Sequence, residues 1–495
     1  MTPAARMVGR RPTPPRRLVA LVLASSTLGG CVYFSPDGAM GPVAGRVSQS
    51  IGMEAVKIDS PAAAAYARSR VDALLSRPLD ADRAVQIALL NNRGLQTAYN
   101  ALGVSEAEFV QASLPPNPAF GFSRTTTGSE LEIERRVVAN VLALITLPLR
   151  TEIARSQFEA DRQRAIEATF RLAAETRRAY YRAVAARETV TFLEQARLSA
   201  DAAADLMRKL GGTGEAKKLD QARAGAFYAE VSNALAQARL RAGTEREALT
   251  RLMGLWGSDL NFRLPGRLPA MPRIQTVQQA EEAAVRQRVD LIAARLELDA
   301  VARAYGLTDA TRFISILSAS GRRSESRDRA APLEPRRVSR GFEVELQVPL
   351  FDLGESNVRA AADIYRDGVN RLIEKAVDVR SEARAAYLTY RASHDIATLY
   401  QTRILPLRRT INEQVQLEYN GMLIDVFELL TTARESIQSN VAAIAAKRDF
   451  FIAGIDFQCA IIGGGVSGGS VGIGTTIATA GAVPGPQAVA GGDGD

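Results

Sequence analysis

Two very long stretches that favour helix constrain the fold more than any other feature of this 495-residue sequence. Residues 150–210 and 355–418 contain a single proline, Pro406, and are rich in Ala, Leu, Arg, Glu and Gln. These residue types stabilise helices, and a helix of about 60 residues is a rod of roughly 90 Å. Paired rods of that length cannot fold into one compact globule, so the sequence predicts that they lie against other rods.

An internal repeat relates the two halves of the chain. The stretch "AVQIALLNNRGLQTA" (84–98) matches "AEEAAVRQRVDLIAA" (280–294) at an offset of 196. Two further pairs follow in the same order: "ETRRAY" (175–180) with "EARAAY" (382–387), and "LDQAR" (219–223) with "LTTAR" (430–434). Each half is predicted to contain a helix of about 30 residues, two strands around a loop, the long helix, a short break and another helix.

Four short segments read as strands. They are residues 117–125, 131–149, 311–320 and 341–350. The last alternates apolar with polar side chains, which indicates a strand with one apolar and one hydrated face. It suits either a half-buried strand of a soluble core or a membrane strand. The intervening segment 321–340, with seven arginines and three acids, is predicted to be a solvated loop.

Four strands set a limit on any membrane role. Closing a barrel takes about eight strands, and an open sheet edge in lipid leaves backbone groups unpaired. Membrane strands in this chain would therefore have to be shared among several copies, and three copies would supply twelve strands.

The N-terminus has the pattern of a lipoprotein signal peptide. Five arginines precede the apolar run Leu18–Leu28, and "LGGC" places Cys31 at a lipobox-like site. Acylation of Cys31 is the prediction, and the alternative is an ordinary cysteine near a generic secretory cleavage site. Removal of residues 1–30 lowers the formal net charge from +8 to +3, which is not the charge of a nucleic-acid-binding protein. The only other cysteine is Cys459, which has no partner if Cys31 is acylated, so neither an internal disulfide nor a cysteine-based metal site is expected.

Two motifs suggest chemistry that the rest of the chain does not support. Gly463, Gly465 and Gly468 match G-x-G-x-x-G, but the remaining 27 residues have no room for the helix and strand of a nucleotide site. His394 is the only histidine and lies within a predicted helix. We therefore predict no enzyme activity, no cofactor and no metal site.

Several stretches together resemble the TolC-like outer-membrane efflux factors over roughly residues 75–455. They are "LDADRAVQIALLNNRGL" (79–95), "SLPPNPAF" (113–120), "RVDL" (288–291), "VPLFDLG" (348–354) and "YNGMLIDVFELLTTAR" (419–434). The chain departs from the family at Val289, where relatives often carry proline, and at 210–223, which is shortened relative to 419–434.

The resemblance implies a mainly α fold with a small β part. Duplicated helical hairpins would form a periplasmic α-barrel, and each chain of a homotrimer would add four transmembrane strands to a shared twelve-strand β-barrel. The implied divisions are a signal peptide (1–30), a lipid-anchored segment (31–78), a first repeat (79–256), an equatorial linker (257–275), a second repeat (276–455) and a flexible Gly/Ala-rich tail (456–495).

The resemblance also implies a function and its residues. The chain would be a passive outer-membrane duct, fed by an inner-membrane pump through a periplasmic adaptor protein. Phe342, Val344, Leu346 and Val348 would face lipid, and Glu343, Glu345 and Gln347 the lumen. Asp425 and Glu428 would form carboxylate rings at the periplasmic aperture, although they could equally be two solvated acids at a helix end. The alternative function is a lipid-anchored helical scaffold of the periplasm that forms no pore.

Overall fold

The computed structural model describes residues 33–274, 280–330 and 335–465. The first half contains α1 (Met40–Ile51), α2 (Pro61–Leu75), α3 (Ala81–Asn91), α4 (Arg93–Ser113), β1 (Ala119–Thr127), β2 (Glu130–Asn140), α5 (Val141–Ile145), α6 (Leu147–Gly212), α7 (Lys218–Met253) and a 3₁₀ turn (Gly257–Asn261). The second half contains α8 (Ala280–Gln287), α9 (Val289–Ala310), β3 (Ile316–Asp328), β4 (Arg337–Gln347), α10 (Glu355–Leu399), a π turn (Tyr400–Ile404), α11 (Leu405–Asn420) and α12 (Val426–Ile462).

The two halves repeat the same order of elements, down to the position of a helix break. Each helix predicted to span about 30 residues is two helices, which meet at Asn92 and at Arg288, 196 residues apart. Both residues have extended backbone angles, and the Asn92 side chain accepts the N–H of Leu95 at 3.1 Å as a helix cap. The shared break supports the duplication inferred from the sequence.

The long rods are present but differ between the halves. Helix α6 has 66 residues and is therefore about 100 Å long. Its counterpart is divided by the π turn, which ends two residues before Pro406. Proline has no N–H to donate to the carbonyl of Thr402, and its ring displaces that turn of the helix. The backbone hydrogen bonds therefore take the wider π spacing locally, and the helix continues.

The strands form one antiparallel sheet in the order β1-β2-β3-β4. The prediction that residues 321–340 form a solvated loop is wrong for most of this segment, because β3 continues to Asp328 and β4 starts at Arg337. Pairing with β2 extends as far as Asp328 and satisfies backbone groups that the polar sequence had suggested were solvated. The predicted strand 131–149 instead ends at Asn140, whose side chain caps α5 by accepting the N–H of Ala143 at 2.9 Å.

The main core lies where the N-terminal helices pack against α6 and the end of α7. Seven consecutive residues of α3, Ala84–Leu90, are buried there. The extended segment 53–58 is held by two glutamines that imitate a strand partner. Gln86 bonds both the N–H and the carbonyl of Glu54, and Gln96 bonds Ile58 and Val56, all at 2.8–2.9 Å.

Helix α12 continues seven residues beyond the predicted end of the second repeat at residue 455. Its last turns are helical because Phe457, Cys459 and Ala460 are buried against neighbouring helices. The sequence had instead predicted a flexible tail from residue 456. Burial raises the pKa of the Cys459 thiol to about 11, so it stays protonated and unreactive at neutral pH. Among the described helices, none is both long and apolar enough to cross a bilayer.

A cluster of charges joins the two repeats beside the break at Arg288. The Arg288 guanidinium lies 2.9 Å from Asp290 and 2.5 Å from Glu382 on α10, and Lys375 approaches Asp290 at 3.5 Å. Glu167 of α6 faces the same cluster. Its pKa is raised, first by burial and then by the negative charge of Asp290.

We expect Glu167→Gln to stabilise the protein at neutral pH. The raised pKa means that the ionised carboxylate is less stable in the folded state than in the unfolded chain, so stability is lost as pH rises through the folded-state pKa. The variant should therefore gain thermal stability above that pKa and little below it. Thermal unfolding followed by circular dichroism across pH 4–8 measures the difference. The exposed Glu175→Gln on the same helix is the control, and an equal gain in both would contradict the assignment.

Candidate functional sites

Strand β4 separates the alternating side chains predicted at 342–347 onto opposite faces of the sheet. Directly paired residues of an antiparallel sheet share a face. Phe342, Val344 and Leu346 thus share a face with Gly321, Ala319 and Leu317 of β3, while Glu343 and Glu345 share the other with Ser320 and Ser318. The Ser318 hydroxyl donates to Glu345 at 3.2 Å, in agreement with this arrangement. Gln347 ends the strand, and Val348 lies just beyond it.

One face of the sheet is left open in the single chain. Phe342 is 75% exposed and Phe120, on the same face of β1, is 77% exposed. This face, which we call the apolar face, also carries Val137 of β2, paired with both Phe120 and Gly321. Three apolar side chains in the segments that follow β2 and β4 are exposed as well: Ile145, Leu350 and Phe351. A soluble sheet would bury such a face, and no part of the described chain covers it.

Charges also segregate between the two faces of the strands, which was not predicted from the sequence. The face opposite the apolar one has a net charge of −3 and carries Glu130, Glu132, Glu134, Asp328, Glu343 and Glu345 against Arg136, Arg322 and Arg337. The apolar face has a net charge of +4 and carries Arg124, Arg135, Arg323, Arg327 and Arg340 against Glu325. The sequences of β2 and β3 alternate in a similar way, but the strand register is needed to tell which of their residues share a face.

Asp425 and Glu428 lie together at the start of α12, where the second hairpin turns. The Asp425 carboxylate accepts the N–H of Glu428 at 3.0 Å and so caps the helix. Both side chains are exposed. Asp425 therefore has a structural role that Glu428 does not share, and a test of its charge has to preserve the cap.

The same hairpin end is anchored to the first repeat. The Arg223 guanidinium of α7 lies over the ring of Phe427, 4.9 Å from its centroid, and Arg434 pairs with Glu230 at 2.8 Å. Leu430 is buried against α6 and α7. These contacts hold the two carboxylates of the turn in place relative to α7.

The turn before Asp425 exposes two apolar side chains. Met422 is 92% exposed and has a left-handed backbone, with φ of 58°, which is unfavourable for a residue with a Cβ. Leu423 beside it is 78% exposed. Strain together with apolar exposure at the end of a rod suits a contact surface better than a solvated turn.

The motifs rejected on sequence grounds have structural roles in the described residues. His394 lies beside Asp395, its Nδ1 3.3 Å from the carboxylate, and its ring packs edge-on against Phe450. No cluster of three or more metal-ligating side chains occurs in residues 33–274, 280–330 and 335–465. Gly464 turns the chain against the backbone of Phe170, where a Cβ would approach within 2.9–3.0 Å, and Arg178 donates to the Gly465 carbonyl at 2.8 Å. Gly468 and Cys31 lie outside the described residues.

The architecture is that of long duplicated helical hairpins with a four-stranded sheet at one end, and solved structures share it. A membrane protein from Pseudomonas aeruginosa matches with 20% identity and a TM-score of 0.68, over 79% of this chain and 94% of that one. The outer-membrane channel OprN matches with 19% identity and a TM-score of 0.66, over 80% and 92%. The MtrE outer-membrane channel of Neisseria gonorrhoeae matches with 16% identity and a TM-score of 0.63, over 80% and 89%.

The chain therefore has the fold of the TolC-like outer-membrane channels. The fold class predicted from sequence, mainly α with a small β part, is confirmed. No protein-family model matches the chain, and no curated protein matches its sequence.

Proposed function

We propose that this protein is a passive outer-membrane duct of a tripartite efflux or secretion system. The carrying observation is the sheet of this channel fold, with an apolar face on one side and a net negative face on the other. Lipid would meet Phe342, Val344 and Leu346, and the water-filled lumen would meet Glu343, Glu345 and Gln347. Energy for export would come from an inner-membrane pump, because the duct itself performs no chemistry.

A homotrimer would complete the membrane part. Strands β1 and β4 are the two edges of the sheet and have no second strand neighbour in the described chain. Unpaired edges are not viable in lipid, and three copies joined edge to edge would close a twelve-strand barrel. Apolar side chains left exposed along the rods support the same assembly; they include Ile373, Val377, Leu388, Ile396 and Leu407 on α10 and α11, and Leu198, Leu206 and Leu240 on α6 and α7. When one surface of each copy contacts a different surface of the next copy around a rotation axis, the copies form a closed ring.

The hairpin end would be the periplasmic aperture and the docking point of an adaptor protein. Asp425 and Glu428, repeated threefold, would form carboxylate rings that concentrate cations and repel anions. Exposed Met422 and Leu423 supply an apolar contact for the adaptor. Acylated Cys31 would add a lipid anchor on the periplasmic side of the outer membrane.

Planar-bilayer conductance of the purified trimer tests the duct and its aperture together. We expect small, cation-selective openings from the wild type. Asp425→Asn, which keeps a helix cap, and Glu428→Gln should each raise conductance roughly twofold or more and lower the preference for cations, because each removes three charges from the constriction.

The control variant is Glu374→Gln, an exposed carboxylate of α10 roughly 70 Å further along the rod. It should leave conductance and selectivity unchanged. Absence of openings from folded, trimeric wild-type protein would contradict the duct and favour the non-pore scaffold. Openings that neither aperture variant changes would leave the duct standing and reject the carboxylate rings.

A further inference from the structure

Three arginines lie side by side on the apolar face of the sheet. The strand register pairs Arg135 with Arg323, and Arg323 with Arg340. Neighbouring strands are about 4.8 Å apart, so the row places three guanidinium groups across roughly 10 Å of backbone. Like charges directly opposite one another destabilise an antiparallel sheet. Folding alone therefore gives no reason for this row.

The chain's own carboxylates compensate the row only in part. Glu325 is the one carboxylate on this face of the described strands, 2.8 Å from Arg323 and 3.9 Å from Arg135. Arg340 has no ion-pair partner within the described residues, and the Arg135 side chain remains 58% exposed. The face keeps its net charge of +4, available to an external anion.

The row lies directly beside the rows of Phe342, Val344 and Leu346, on their side away from the helices. The adjacent row toward the helices contains Phe120 and Phe342, followed by Val344 and then Leu346. Strand β4 leads from Arg337 toward α10, so the arginines lie farther from the helices than Phe342, Val344 and Leu346. The row also contains Phe122, paired with Arg135, and the two rows beyond it hold three more charged side chains among apolar ones: Arg124, Glu325, Arg327, Ile133, Val338 and Leu131. Aromatic girdles mark the interfaces of membrane barrels, so a girdle formed by exposed Phe120, Phe122 and Phe342 would set the arginines level with lipid headgroups.

We propose that Arg135, Arg323 and Arg340 bind the phosphate groups of a multiply phosphorylated lipid of the outer leaflet, while its acyl chains lie along Phe342 and Val344. The inference rests on the proposed function, because it needs this face to meet lipid. Guanidinium groups bind phosphate through paired hydrogen bonds. A free phosphate would use only the arginines, whereas a lipid matches both the charged row and the apolar surface next to it.

Binding of lipid A to the purified trimer in neutral detergent, measured by native mass spectrometry, tests the proposal. The triple variant R135Q/R323Q/R340Q should bind about 100-fold more weakly, at about fivefold per arginine. The matched control is R136Q/R322Q/R337Q, which removes the three arginines of the opposite face and should bind like the wild type. Lysine at the same three positions should retain much of the affinity, and it separates loss of charge from loss of folding.

Two further arms identify the source of binding. Lipid A stripped of its phosphates should bind weakly to the wild type, and inorganic phosphate alone should compete poorly. Equal losses in both triple variants, no loss in either, or equal binding of the stripped lipid would overturn the proposal. Conductance of the same wild-type preparation in phosphate-free lipid distinguishes this failure from that of the duct, since a conducting trimer with an inactive arginine row refutes only the lipid site.

Discussion

Val344→Arg is expected to abolish accumulation of the trimer in the outer membrane. Val344 is exposed and lies on the apolar face, between the rows of Phe342 and Leu346. An arginine facing lipid near the bilayer midplane costs about 2–4 kcal/mol in a membrane barrel, and a trimer carries it three times. A total of about 6–12 kcal/mol is comparable to the whole stability of an ordinary domain. Membrane fractionation, with the trimer identified by its resistance to dissociation in mild detergent, measures the effect.

Glu345→Arg is the matched control for this experiment. The two positions are adjacent on the strand but lie on opposite faces, so the control adds a positive charge where we place the water-filled lumen. We expect normal insertion and a lower preference for cations in conductance. Loss of the trimer with Glu345→Arg and its retention with Val344→Arg would reverse the assigned faces. Retention in both would argue against a membrane sheet.

Gly354→Ala is expected to destabilise the protein by about 2–5 kcal/mol. Gly354 connects β4 to α10 with φ of 72°, and a Cβ there would lie 2.3 Å from the Arg312 carbonyl oxygen. The left-handed backbone alone costs a residue with a side chain about 1–2 kcal/mol, and the contact with a backbone atom adds displacement of the chain. The thermal midpoint of unfolding at a fixed scan rate, followed by circular dichroism, should fall by several degrees.

Gly128→Ala separates the two contributions. Gly128, in the turn between β1 and β2, has φ of 60°, and no atom beyond its two neighbouring residues lies within 4 Å of the point that an alanine Cβ would occupy. It should show only the conformational cost, so the difference between the variants reports the close approach at Gly354. Equal losses of stability in the two variants would show that the backbone of Arg312 moves aside without a measurable cost in free energy.

Much of the fold follows from patterns that are local in sequence. The helix-favouring stretches predicted the rods, and the repeated segments predicted the order of elements that the structure shows in both halves. Alternation at 342–347 predicted the two faces of β4. Periods of 3.6 and 2 are local properties, and they can be read without knowing what a segment packs against. Capping by Asp425 is also local in sequence, although the prediction for this carboxylate concerned only its charge.

Interactions between distant segments decided the rest. Polar residues 321–328 looked like a solvated loop, and only pairing with β2 makes them a strand. Residues 456–462 looked like the start of a tail, and burial against other helices keeps them helical. The arginine row exists because the register aligns positions 135, 323 and 340, which are up to about 200 residues apart. The sequence by itself determined which elements form and which side chains alternate; the tertiary structure decided which charges become neighbours, because register and packing depend on partners that no local pattern specifies.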